Sequence, residues 1–384
     1  MKRRISMLIA NIKNFILEKI FFKISNVNKV KGNHKALLSY SVLHFLKGRK
    51  KYIHPNSIES QVLMNSLTTQ GYSVDVVNEV YKGKIDYSKY QLIIGEGYPL
   101  FNYFKYSNKK DCRIIYYASG SHPLFQTQKS ICRLAHFYLK QKCNALSSLR
   151  IVPNEWGIAA SLSDTCLIIG NDFTKNTFLQ NGCKNVISIN PPFFKTCDIE
   201  ILFTEKRKKN FLWFGSYGFL HKGLDIVLDY FLAHSDLELY ICGYTDRENE
   251  FWTAYSDDLK KAKNIHIIGF IDVRSIEFKN LLILCGAVIL ISASEGCSTA
   301  LLTVIGNGGL IPIATKESGI DIMKIGFQPE DDSFNALNDA ICKYLNTSVK
   351  ELNLMSLSAY AYVNSVYTKD GFTNKIASVL KEDH

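Results

Sequence analysis

Val288-Ile-Leu-Ile-Ser-Ala-Ser-Glu-Gly-Cys-Ser-Thr-Ala-Leu-Leu-Thr-Val-Ile-Gly-Asn-Gly-Gly-Leu-Ile-Pro-Ile313 is the stretch from which the fold can be read. An apolar run ends at Ser292, and Glu295-Gly296 supplies a turn. Ser298 or Thr299 can cap a helix that stops at Gly306–Gly309, before a second apolar run. Strand, turn, helix and strand in that order make a βαβ unit with its two strands parallel. In open sheets of this kind ligands bind beyond the carboxyl ends of the strands. There, helix N-termini present unpaired N–H groups and the positive end of a dipole. Glu295 is an acid at such an end.

Outward from this unit the same rhythm continues. Phe211–Phe214, Leu237–Cys242, Ile265–Ile268, Ala287–Ile291 and Ile311–Ala314 read as strands separated by helical stretches. Upstream, Ala36–Tyr40, Val74–Val77, Leu92–Ile94, Ile114–Tyr117 and Leu167–Ile169 form an earlier set, with a helix over Ser57–Gln70 closed by Gly71. The longest apolar run, Leu281–Ile291, is too short for a transmembrane helix and reads as a buried strand. Two sets imply an α/β protein of two doubly wound lobes, as 384 residues also suggest. Pro191-Pro192 and the charged Thr204–Lys209 stretch read as the connection between them. The expected division is a leader over 1–31, a first domain over 32–200, a second over 201–355, and a helical segment over 356–384.

The Glu295 unit resembles the donor-binding signature of the GT-B retaining glycosyltransferases of family 4, also called glycosyltransferase group 1. Their pattern is Glu-Gly, a second Glu eight positions on, a small-residue helix end and Gly-x-Pro. Glu295-Gly296 is similar to its start and Gly309-Leu310-Ile311-Pro312 to its end. The resemblance implies two Rossmann-like lobes, with Glu295 contacting the donor sugar and the amides of Ser298, Thr299, Ala300 and Leu301 holding sugar and phosphate. The family's second Glu, which binds ribose, falls at Thr303. A threonine makes one hydrogen bond and cannot grip a diol as a carboxylate does. Either the ribose is held differently, or the donor is unusual, or activity is impaired.

Phe211-Leu-Trp-Phe-Gly-Ser-Tyr-Gly-Phe-Leu-His-Lys-Gly-Leu-Asp225 resembles the strand and phosphate loop of the same family. By that likeness Lys222 neutralises the departing diphosphate, where fixed positive charge meets developing negative charge. The family's loop arginine falls at Ser216, so amides of the Gly215–Gly218 loop are expected to compensate. Leu239–Gly243 resembles the family's strand ending in Gly, with Gly243 a donor-binding residue, and Ile265–Ile271 resembles the strand and Gly loop that embraces the base, with Gly269 and Phe270 as contacts. Uracil and guanine remain open. In the first lobe His122 follows a strand as a functional histidine of the family does. It either faces the donor sugar across the cleft or is a loop histidine before Pro123. Asn171 stands where the family often has Ser. The basic loop Lys47-Gly48-Arg49-Lys50-Lys51, with His54 and a helix from about Glu59, is expected at the acceptor side.

The net charge of +11 suggests nucleic acid until it is located. Residues 1–51 hold 13 Lys/Arg against the single acid Glu18, and the remaining 333 residues hold 33 bases against 34 acids. Charge confined to one end, without a motif, argues against a nucleic-acid partner. Ile5, Leu8, Ile9, Ile12, Phe15 and Ile16 share a helical face opposite Ser6, Asn11, Lys13, Asn14 and Glu18. Between Lys2-Arg3-Arg4 and Lys29, Lys31 and Lys35, this amphipathic leader either lies in an anionic membrane surface or packs on the protein itself. No secretory signal is expected, because charges interrupt the apolar core. Ten cysteines without CxxC or zinc spacing read as free thiols of a reducing cytoplasm.

The expected function is transfer of a hexose-type sugar from a nucleoside-diphosphate donor to a glycan or lipid-linked acceptor in surface polysaccharide assembly. By resemblance it proceeds with retention, without a cofactor or metal, on the inner face of the cell membrane. The rivals are a nucleotide-sugar epimerase or hydrolase of the same fold, and a catalytically silent protein that binds glycan or a partner.

Overall fold

Side chains of period two decide the sheets. In Asn210–Phe214, Phe211 and Trp213 enter one core while Leu212 and Phe214 enter the opposite one. In Arg113–Ala118, Ile115 and Tyr117 face one side and Ile114 and Tyr116 the other. Strands buried on both faces read as unbroken apolar runs, and parallel sheets covered by helices require that. The computed structural model describes residues 22–32, 34–46, 55–107, 111–199 and 202–381.

The first lobe runs β1 (Lys23–Ile24), β2 (Lys35–Ser39), α1 (Pro55–Thr69), β3 (Ser73–Val77), β4 (Leu92–Gly95) and α2 (Tyr98–Tyr106). It continues with β5 (Arg113–Ala118), α3 (Pro123–Gln141), α4 (Asn154–Leu162), β6 (Thr165–Ile169), α5 (Asp172–Leu179) and β7 (Val186–Ile189). Its sheet order is β1-β3-β2-β4-β5-β6-β7, parallel except for β1. The second lobe begins with α6 (Glu205–Lys208), β8 (Asn210–Phe214), α7 (Leu224–Ala233), β9 (Glu238–Cys242), α8 (Asn249–Ala254), α9 (Ser256–Lys261) and β10 (Ile265–Gly269). Then come α10 (Ile276–Leu284), β11 (Ala287–Leu290), α11 (Thr299–Gly308), β12 (Ile311–Ala314), α12 (Phe334–Asn346), α13 (Val349–Val366) and α14 (Lys369–Lys381). Its parallel sheet has the order β10-β9-β8-β11-β12.

Four sequence expectations change. The run Leu281–Ile291 is not one strand, because Cys285-Gly286 separates the end of α10 from β11. The charged stretch Thr204–Lys209, read as part of the connection between the lobes, contains α6. Thr204 caps α6 by accepting from Arg207 N at 3.1 Å, and the Arg207 guanidinium is buried. It donates to the carbonyls of Leu282, Cys285 and Gly308 at 2.8–3.2 Å, which are orphan acceptors at the ends of α10 and α11. The return of the chain to the first lobe starts later than residue 356. Ala359 and Val363 of α13 still pack in the second lobe, whereas Phe372, Ile376 and Val379 of α14 lie in the first-lobe core. Finally, β1 and β7 have no counterpart in the expected strands. The leader helix and the loop from Lys47 to His54 lie outside the described residues, apart from the leader's end.

All ten cysteines are free, six of them buried. Among the described residues no helix is long and apolar enough to cross a membrane.

Candidate active site

Glu295 and Lys222 meet. Lys222 Nζ donates to Glu295 Oε1, with both side chains nearly buried. They come from loops after the neighbouring strands β8 and β11. A glycine of positive φ stands in the β8 loop, and another, from the loop after β12, packs against the β11 loop. Gly223 has φ +70°, and a Cβ there would lie 2.1 Å from Ile291 O. Gly319 has φ +72°, and a Cβ would lie 1.6 Å from Gly296 O. The Glu295 amide donates to Glu317 O at 2.9 Å, which fixes the acid's backbone. Its Oε1 also accepts from Ser292 Oγ at 3.2 Å, and its Oε2 from Arg150 Nη1 at 3.5 Å.

Burial alone would push the Glu295 carboxyl up. Lys222 and Arg150 outweigh it and hold the group down at about 2, so it is a carboxylate at neutral pH. Burial draws the Lys222 ammonium downward against the pull of Glu295. The adjacent His221 is buried and lowered to about 3 by burial and then by Arg150, hence neutral. Its Nε2 lies 2.5 Å from Ser294 O and its Nδ1 2.7 Å from Ser130 Oγ on α3. A carbonyl only accepts, so Nε2 carries the proton and Nδ1 accepts from the serine. His221 is thus a bridge between the lobes.

More such bridges surround it. Ser121 pairs with Ser294, Thr174 Oγ1 donates to Gly296 O at 2.8 Å, and Asn171 Nδ2 donates to Asp321 Oδ1 at 3.1 Å. Arg133 of α3 is buried and contacts Asp332 at 2.9 Å and Asp225 at 3.4 Å. Between the lobes lies a cavity of about 280 Å³, near the lower edge of small-molecule sites. Glu295 and Tyr217 line it from the second lobe, facing Glu96, Ser119, Arg150 and Trp156 of the first. Glu96 follows β4 and accepts from Ser119 Oγ at 2.7 Å and from Ser119 N at 3.3 Å. Burial lifts its carboxyl to about 8 against those hydrogen bonds, leaving it largely protonated at pH 7.

The other expected site residues fall into three groups. Gly215, Gly243 and Gly269 lie together at the carboxyl edge of the second sheet. Gly215 N donates to Cys242 O at 3.0 Å and Gly243 N to Gly269 O at 3.1 Å. Exposed Phe270 stacks on Tyr244 with ring centroids 5.0 Å apart, forming a flat platform beside them. None of these three glycines, nor Phe270, lines the cavity. Ser216 is half-buried in the same loop. Two of the four loop amides expected to compensate for its missing charge are occupied, Gly215 N by Cys242 O and Gly218 N by the buried Glu248 carboxyl at 2.5 Å, and the next amide, Phe219 N, donates to the same group at 2.9 Å.

At the start of α11, Ser298 is the cap and its Oγ accepts from Leu301 N at 3.5 Å, so that amide is engaged. Ser298 N donates to Ser318 O at 2.9 Å. The first-turn amides of Thr299 and Ala300 have no partner within the helix. Thr303 is buried, and its Oγ1 donates to Thr299 O at 2.7 Å. Gly296 is wedged against the first lobe, where a Cβ would lie 2.9 Å from Ser119 O.

His122 does not face the cleft. It is fully buried as the cap of α3, its Nδ1 accepts from Leu124 N at 3.3 Å, and its ring lies edge-on to Phe178. Its neighbours Ser121 and Pro123 line the cavity instead. A polar residue directly before proline was a readable cap signal. Sequence reasoning passed over Arg150 and Glu96. Glu96 had a signal, since Gly95-Glu96-Gly97 after an apolar strand repeats the logic of Glu295-Gly296.

No family model and no curated protein matches the sequence. Solved structures do. HepE of Anabaena, in complex with UDP and glucose, is similar at TM-score 0.57 and 14% identity over 91% of this chain and 100% of that one. Sucrose-phosphate synthase from Thermosynechococcus elongatus is similar at 0.61 and 11%, over 91% and 99%. WaaG, a glycosyltransferase involved in lipopolysaccharide biosynthesis, is similar at 0.54 and 15%, over 90% and 98%. At these identities the likeness is one of backbone. Together with two parallel-sheet lobes facing one another over a cavity, it shows that this chain has the GT-B fold.

Proposed function

We propose that this chain is a glycosyltransferase that moves a hexose-type sugar from a nucleoside-diphosphate donor to a glycan or lipid-linked acceptor, with retention. The observation that carries the reading is the Lys222–Glu295 pair at the carboxyl ends of adjacent strands, beside a cavity closed by the other lobe. A carboxylate only accepts hydrogen bonds, which suits it to sugar hydroxyls. A lysine held beside it supplies positive charge where the diphosphate gains negative charge as the sugar leaves. The glycine row with the Tyr244–Phe270 platform would take the base. The proposal includes no metal.

The similar structures support this choice of donor. HepE was solved with UDP-glucose, and TarM with UDP and α-GlcNAc-glycerol at TM-score 0.50 and 12% identity, covering 75% of this chain and 54% of that one. The proposal also has residues 1–31 holding the enzyme to an anionic inner leaflet during surface polysaccharide assembly. One observation favours a silent binding protein instead: Ser216 and Thr303 carry no charge, and the Thr303 hydroxyl is already engaged. Incubating the full chain with labelled UDP- and GDP-sugars and bacterial lipid acceptors separates the readings. Label in the acceptor is expected. Isomerised or hydrolysed donor alone, or no binding of UDP or GDP at millimolar concentration, contradicts the proposal.

A further inference from the structure

The cavity beside Glu295 is lined by one cation among the described residues, and it belongs to the opposite lobe. Arg150 lies between α3 and α4, where Gln126 Nε2 donates to its carbonyl at 3.2 Å and its own amide donates to Ser130 Oγ at 3.4 Å. From this anchored backbone the stem crosses the lobe boundary and rests on Gly218. A Cβ at that glycine would come within 2.9 Å of Arg150 Cδ, so any other residue there would force the arginine stem to shift. The guanidinium carbon stands 5.4 Å from the Tyr217 ring centroid, and Nη1 reaches Glu295 Oε2 at 3.5 Å. That bond is at the limit of useful length. A guanidinium has five N–H donors.

The second lobe's own means of holding an anion here are limited. Lys222 is only 6% exposed at its side chain and is bonded to Glu295. The Gly215–Gly218 loop has no basic residue, and its last amide and that of the following Phe219 are given to Glu248. Arg150, with 26% of its side chain exposed, is the most accessible of the charges around Glu295. Its planar fork suits bidentate contact with phosphate oxygens.

We propose that Arg150 of the first lobe is a phosphate-binding residue of the donor site, exchanging its long contact to Glu295 for the donor diphosphate. The inference rests on the reading of the site as a nucleoside-diphosphate sugar site. It adds that part of the phosphate charge is met from across the lobe boundary, so diphosphate binding needs both lobes together.

The test is titration of the full chain, wild type, Arg150→Met and Arg150→Lys, with UDP, GDP, uridine and guanosine. For whichever diphosphate the wild type binds, Arg150→Met is expected to weaken binding by about tenfold or more, and Arg150→Lys by less. Affinity for the matching nucleoside stays within about twofold, which a general loosening of the lobes would not allow. Equal losses for nucleoside and diphosphate, or no loss, overturn the role of Arg150 while leaving the donor site standing. A wild type that binds neither diphosphate overturns the underlying reading as well. Thermal unfolding of each variant confirms that a loss is not a failure to fold.

Discussion

Replacing Glu96 by Gln should make the protein's stability less dependent on pH. Glu96 is 8% exposed, and burial raises its carboxyl from 4.5 to about 8, with Ser119 opposing and Glu79 adding to the rise. A raised acid binds a proton more tightly in the folded state than in the unfolded one. Between pH 4.5 and 8 the native protein therefore holds one proton that the unfolded chain has lost, and stability falls as pH rises. Each pH unit in that window is worth at most about 1.4 kcal/mol, so the whole span sets an upper bound of roughly 5 kcal/mol. Glutamine keeps the shape of the protonated acid and cannot ionise. Urea unfolding of wild type and Glu96→Gln at pH 5 and pH 8.5 reads the difference, with all other titrating groups common to both. The wild type is expected to lose several kcal/mol relative to the variant on going to the higher pH. Parallel stability curves would show that Glu96 ionises normally, and the account of its surroundings would be wrong.

Gly296→Ala would place a methyl 2.9–3.0 Å from Ser119 O, Gly120 Cα and Ile169 O, all first-lobe backbone. Overpacking of this kind costs about 1–3 kcal/mol, so a lower melting temperature and weaker donor binding are expected together in calorimetry and titration. Arg133→Met would leave Asp225 buried without its partner, a carboxyl that burial already lifts to about 6. The expected loss is about 3–5 kcal/mol in chemical denaturation, largely recovered by adding Asp225→Asn. If the leader holds the protein to anionic lipid, removal of residues 1–21, which spares β1, abolishes co-sedimentation with phosphatidylserine vesicles and leaves unfolding of the remainder unchanged.

The strands were legible wherever burial on both faces gave a continuous apolar run, as in Leu92–Gly95 and Ile311–Ala314. Val186–Ile189 escaped because Ile187 and Ser188 are only half-buried at the sheet edge, which dilutes the signal. Leu281–Ile291 misled because the end of a buried helix and the start of a buried strand have the same composition. The burial of Arg207 was not legible because sequence does not reveal that the carbonyl ends of two helices converge on it. Within the candidate site, Glu295 and the sheet-edge glycines could be found because each stands at or just beyond a strand end, and Lys222 because the loop before α7 resembles a known phosphate loop. The first-lobe partners Arg150 and Ser130 reach the site only through the way the lobes face one another. No spacing along the chain encodes that contact, whereas Glu96 stands at a strand end between two glycines.

The central claim is that Glu295 and Lys222 act on one donor molecule, and turnover measures it most directly. In a transfer assay with the preferred nucleotide sugar, Glu295→Gln and Lys222→Met are each expected to lower kcat/KM by about a hundredfold or more, with unfolding still cooperative. Near wild-type turnover in both folded variants would contradict the account.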